Sequence, residues 1–247
     1  MTNTIPTTTT FNQNAGQMIT RAYRMLNVVS EAGTPNADQM NQAIFVLNAM
    51  LKGWQADGTN LWRREQITIP VLASQGSPST PIIPTTVFLD LLEARWVVQG
   101  GSGPDQSERP MGIFTYLDYM TLPNKNQQSD SGPSVICFDK QTSASQFYVW
   151  PLPTYGGQLK VTVARPVYDV TKPSDIVDAP IEWTEAIVYN LADRLLADSA
   201  QPMIDPQGAD YITQRAVALY SKLLNFDRPP SVFIRPWGKK GSGPFWR

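Results

Sequence analysis

The sequence predicts an α+β fold: an antiparallel bundle of four helices drawn from both ends of the chain, an inserted antiparallel β region, and an extended C-terminal arm. Three observations predict it. Apolar residues recur at helical spacing only near the two ends of the chain. Between them lie short β-branched and aromatic runs punctuated by Gly and Pro. After residue 228 proline, glycine, aromatic and basic residues replace any periodic pattern.

Residues 1–14 are polar and threonine-rich, with no period, and read as an N-terminal arm. The first helix should cover about 15–30, with Met18, Ala22, Met25 or Leu26 and Val29 inside. The second should open at Thr34-Pro35, where a hydroxyl can cap free N–H groups and a proline at the first helical position costs nothing. Its face is Met40, Ile44, Leu47, Leu51 and Trp54, spaced 4-3-4-3. Asp57-Gly58 should stop it, glycine being the residue that turns left-handed most easily. Leu61-Trp62 should then fold back over the helix end.

The pattern changes after Trp62. Ile67–Leu72 alternates as a strand, and residues 74–86 form a proline-rich loop. Leu89–Val98 can be read as helix or strand; Trp96-Val97-Val98 ahead of Gly100-Gly101 favours a strand entering a turn. Thr115–Leu122 should be a short helix. Strands follow at 134–139, 146–150 and 158–165, with Gly156-Gly157 turning between the last two as a hairpin. The third long helix should begin at Asp178-Ala179-Pro180 and bury Trp183, Ile187, Leu191 and Leu195. The fourth should begin at Asp205-Pro206 and bury Ile212, Ala216, Leu219, Leu223 and Phe226. The expected division is therefore an arm at 1–14, a helical base from 15–66 and 178–227, a β domain at 67–177, and an arm at 228–247.

The C-terminal arm carries five basic residues, no acidic one and four prolines. Phe233, Ile234, Trp237, Phe245 and Trp246 are too apolar for an ordinary solvated linker, and with Arg235 and Arg247 they are the candidate docking residues. Extended, 20 residues reach up to ~65–70 Å. Three readings stand: a tail without fixed structure, a nucleic-acid tail, and a strap docking on another protein, where buried Trp and Arg dominate binding. Five charges give only modest, salt-sensitive phosphate binding, and the strap is the reading preferred.

Composition bounds the chemistry. The chain of 247 residues has 20 basic and 21 acidic side chains, and charged residues are only 17% of it, against ~25% ordinarily. With 7 Trp, 9 Tyr and 9 Phe, either partners cover much of the surface or a large core lies under a polar, uncharged skin. The absence of histidine removes His-based triads and His-ligated zinc. The single cysteine, Cys137 in an apolar run, excludes an internal disulfide and reads as a buried thiol. No cofactor is expected. Glu182 and Glu185 are the best carboxylate pair for catalysis, but acids in a first helical turn ordinarily answer the helix dipole. No apolar run spans a membrane, and residues 1–14 lack the features of a secretory signal. Synthesis in a host cytoplasm is the simplest setting.

Ala49-Met50-Leu51-Lys52-Gly53-Trp54-Gln55-Ala56-Asp57-Gly58-Thr59-Asn60-Leu61-Trp62, preceded by Arg21-Ala22-Tyr23-Arg24-Met25-Leu26-Asn27-Val28-Val29, resembles the head-to-tail adaptor proteins of short-tailed bacteriophages, also called packaged-DNA-stabilisation or tail accessory proteins. The likeness covers roughly residues 15–66. Its signature and core positions here are Leu47, Leu51, Trp54, Asp57, Gly58, Leu61 and Trp62. The resemblance implies a structural virion protein and not an enzyme. It further implies a homo-oligomeric ring of twelve copies at the head-tail junction, with a C-terminal extension gripping the portal protein. A downstream tail or nozzle protein would attach below, and packaged DNA would pass the lumen without sequence-specific binding. The alternative is a carbohydrate- or peptide-binding β module of a phage particle, with Tyr148, Trp150 and Tyr155 as a stacking platform.

Overall fold

The structure, a computed structural model, describes residues 13–57, 63–98, 107–141, 144–198 and 205–226. Among these the chain runs α1 (Ala15–Met25), α2 (Ala37–Ala56), β1 (Arg64–Val71), β2 (Asp90–Val98), β3 (Glu108–Pro110), β4 (Gly112–Phe114), α3 (Tyr116–Thr121), β5 (Gln128–Ser129), β6 (Val135–Lys140), β7 (Ser145–Trp150), β8 (Leu152–Pro153), β9 (Gly157–Ala164), α4 (Thr184–Asp198) and α5 (Pro206–Phe226). The α+β class is as the sequence predicts, and so is the antiparallel pairing of β1, β9, β2 and β3 and of β6 with β7; β4 with β6 and β5 with β8 pair in parallel instead.

Both N-terminal helices open on asparagine. The Asn14 side chain accepts from the Gln17 N–H while the Gln17 side chain accepts from the Asn14 N–H, a reciprocal capping box. Asn36 and Gln39 repeat it at α2. The second helix therefore starts two residues later than Thr34-Pro35 suggests, because Asn with Gln three residues on satisfies two free N–H groups at once. The first helix also ends earlier than expected. Asn27 takes a left-handed conformation with φ 56°, which Asn tolerates better than other non-glycine residues, and the chain turns away before Val29.

Buried residues of α1, α2, α4 and α5 meet in one apolar cluster, joined by Val167, Val170 and Val177 of the segment leading into α4. Trp54 stacks on Tyr220 at 4.9 Å between ring centroids and 19° between planes. Trp183 closes the group, 5.5 Å from Trp54. A second cluster belongs to the strands and includes Trp96, Phe147, Leu159, Val161 and Val163.

The strand order departs from the sequence expectation. The strands at 146–150 and 158–165 do not form a hairpin. β9 lies between β1 and β2 in an antiparallel sheet ordered β1-β9-β2-β3, whereas β7 pairs with β6 in a sheet ordered β4-β6-β7. Pro151 and Pro153 do not simply end a strand either: Leu152–Pro153 pairs in parallel with Gln128–Ser129. Burial explains the choice. Leu159, Val161 and Val163 are wholly buried on one face of β9, and a central position covers that row from both sides. Gly157 is required at its start, since a methyl there would sit 2.3 Å from the Trp96 ring.

Candidate functional site

The seam between the helices and the sheet is built from one polar stripe of α2. Asn48, Lys52 and Gln55 follow at i, i+4 and i+7, hence on one helix face. Asn48 donates to the Val170 carbonyl at 2.8 Å and accepts from the Val170 N–H at 2.9 Å. The Lys52 ammonium donates to the Val167 carbonyl and pairs with Asp169 at 2.8 Å. Gln55 accepts from the Val167 N–H at 3.0 Å. The extended chain returning from β9 is thus fastened backbone to side chain along α2.

Where β1 and β9 join the helices, Arg165 donates to both Asp178 oxygens, at 2.5 and 2.9 Å, with both side chains under one-fifth exposed. Burial pushes the Asp178 carboxyl up, but the Arg165 pair and the Tyr168 N–H outweigh it and hold it below its ordinary value. Arg63 lies beside this pair, 4% exposed, with Nε and Nη1 unpartnered. Burial and the neighbouring Arg165 lower its pKa, against a smaller opposing pull from Asp178. Asp178, expected to open the third long helix, instead pairs with Arg165 while α4 starts at Thr184; Asn48, Gln55, Arg63 and Arg165 carry no sequence motif beyond the i, i+4, i+7 polar stripe of α2.

Of the family-signature positions, Leu47, Leu51 and Trp54 are buried. Asp57 follows α2 as its C-cap and accepts from the Tyr220 hydroxyl. Burial first, then this carboxylate, push the Tyr220 phenol well above its ordinary range. Gly58, Leu61 and Trp62 lie outside the described residues, as do Phe233, Ile234, Arg235, Trp237, Phe245, Trp246 and Arg247 of the arm.

The aromatic platform is not assembled. Tyr148 is buried, stacks on Tyr119 and donates toward Asp139 and Gln146. Trp150 donates its indole N–H to the Asn124 carbonyl. Tyr155 alone of the three is exposed. A sheet aromatic at these positions serves packing first. Cys137 is buried, and burial pushes its thiol up to about 11. Glu185 pairs with Arg215 at 3.2 Å, so the Glu182/Glu185 pair is half committed to an ion pair. Among the described residues no group of three or more Cys, Asp or Glu side chains could hold a metal, and no helix is long and apolar enough to cross a membrane.

What the described surface does offer is apolar area. Ile113, Tyr116, Leu117 and Met120 are exposed within eight residues of β4 and α3, Leu117 at 77%. Phe45 on α2 is 69% exposed. Large apolar side chains exposed within one short stretch are a candidate contact surface.

Comparison with known proteins agrees. The family model described as SU10 adaptor protein matches residues 13–228. The chain belongs to the SU10 adaptor protein family, and its resemblance to head-to-tail adaptors is upheld. Among solved structures it is similar to a chain of the neck of an empty GTA particle, computed with C6 symmetry, at 11% identity over 83% of this chain and 93% of that one, with a TM-score of 0.24. No curated protein sequence matches.

Proposed function

We propose that this chain is a structural virion protein: a head-to-tail adaptor that forms a ring beneath the portal, extends the DNA channel and carries the attachment platform for tail components. The observation that carries the reading is membership of the adaptor family over residues 13–228. The role is mechanical, not catalytic, and needs no cofactor. In it, the helices of 15–66 and 178–227 act as a four-helix base, and the strands of 67–177 stand on that base as an insert. The shared apolar cluster of α1, α2, α4 and α5 supports the base. Its separation from the strand cluster supports the insert. The exposed Ile113, Tyr116, Leu117 and Met120 suit the insert to receive the next tail or nozzle protein. Near-balanced charge suits a lumen that passes DNA without gripping phosphates. Twelve copies would close the ring.

The arm at 228–247 fastens each copy to the portal through Phe233, Ile234, Arg235, Trp237, Phe245, Trp246 and Arg247. Its support is its composition, since the family match ends at residue 228. Deleting 228–247 should leave the melting temperature of the folded part unchanged and abolish co-sedimentation with the portal ring. Undiminished co-sedimentation of the truncated chain would overturn the strap.

A further inference from the structure

Of the 20 residues of α2, only Asp38 and Lys52 are charged, and Lys52 is already paired with Asp169 at the seam. A helix whose apolar residues are spread around it, and not confined to one face, is ordinarily covered on more than one side. Here the cluster covers one side only. The opposite side shows Phe45, Ala49 and Gly53, all exposed. A methyl built on Gly53 would meet a single neighbour, the Arg194 guanidinium at 3.9 Å, so the backbone there is open to close approach. Phe45 stands two residues from both Ala43 and Leu47 of the buried face, about 200° around the helix. It therefore points straight out, and its exposure serves nothing within its own subunit.

Elsewhere on the same chain is a hole of matching size. Between α4 and α5 a groove of about 230 Å³ has Ala186, Leu219 and Leu223 as its apolar floor and Glu182, Glu185 and Lys222 on its rim. An apolar cavity of about 150 Å³ accepts a benzene ring, so one phenyl group fits. The rim carries both signs of charge. The amide of Asn41, exposed one turn before Phe45, can donate to its carboxylates and accept from its ammonium. The face around Phe45 carries charge only toward its two ends, Asp38 and Lys52, each seven residues away, so what meets the rim beside the ring is neutral and polar.

We propose that these two surfaces are the halves of the contact between adjacent copies: Phe45 of one subunit fills the α4–α5 groove of the next. Knob and hole lie on different elements, so used once per pair of neighbours the contact is heterologous and can propagate around a ring; the reciprocal two-fold use would stop at a dimer, which the absence of rings in the test below would reveal. The inference rests on the ring-forming reading above and names its interface.

The test uses the full chain, alone and mixed with the portal ring. Phe45→Glu should lower the yield of portal-bound rings at least tenfold while leaving the melting temperature unchanged, and Phe45→Ala should lower it less. In the assembled ring, the double variant Phe45→Cys with Lys222→Cys should give a ladder of covalent multimers with a short bismaleimide. Each single variant should give none. Cys137 stays silent because it is buried and protonated. Rings that form equally well with Phe45→Glu, or single variants that ladder like the double one, would overturn this contact and leave the ring reading standing. A parental chain that forms no ring on the portal would remove both.

Discussion

The helices and the strands of this chain hold together in different ways. The helical cluster is centred on stacked aromatics: Trp54, Trp183 and Tyr220 lean on one another among Leu, Ile, Val and Ala. The strand cluster is close-fitting. Trp96 occupies a slot whose walls are the glycines at 132 and 157, each leaving a methyl only 2.3 Å from the indole. The helices also leave Phe45 and the uncharged face of α2 uncovered, whereas β9 is covered on both edges by β1 and β2. The difference teaches that the central strand β9 finds its partners within the chain, while α2 shows a side that only the contact proposed above would cover.

That contrast can be broken from either end. The largest effect should come from Trp54→Ala, which removes the stacked centre of the helical cluster and should lower stability by ~3–5 kcal/mol in chemical denaturation. An unchanged midpoint would mean that this tryptophan serves an interface and not the core. Gly157→Ala should cost about 1–3 kcal/mol by overpacking against Trp96, read by the same measurement with loss of the near-ultraviolet signal of the indole. A tolerated methyl would show the strand cluster to be as yielding as the helical one.

A smaller effect is expected at the seam. The Asp178 carboxyl is held below its ordinary value in the folded chain, so its pair with Arg165 stabilises the fold above about pH 4 and loses that contribution as pH falls through the folded pKa. Asp178→Asn should therefore lower the melting temperature near neutral pH, and the difference from the parent should shrink as the solution is acidified toward pH 2–3, roughly one to two units below the ordinary aspartate value. A difference independent of pH would assign Asp178 a packing role. Smallest of all, Phe45→Ala should change the stability of the isolated subunit by less than about 0.5 kcal/mol, because the ring is already in water.

The helices were legible because their information is local. Spacing alone placed Leu47, Leu51, Trp54, Trp183 and Leu219 inside. The alternation around Leu159, Val161 and Val163 likewise marked a strand with one buried face. Strand order was not legible, because β9 pairs across some 90 residues with β1 and no local pattern records that. Adjacency of β7 and β9 in sequence suggested a hairpin that burial overrode. At the second helix Thr34-Pro35 is a start signal, but the reciprocal Asn36–Gln39 box two residues on satisfies more N–H groups and prevails. At the candidate site, Trp54 and Asp57 could be named from their resemblance to adaptors, whereas Arg63, Arg165 and Asp178 could not. Arg165 and Asp178 are 13 positions apart, in a segment without helical or strand period, and Arg63 joins them only when β1 is folded beside β9.

Electron microscopy of the full-length protein mixed with its portal tests the central claim most directly. The account predicts a continuous ring of subunits added beneath the portal, helices against their neighbours and strands facing away from the head. Portal particles without added density, beside solitary subunits, would contradict it.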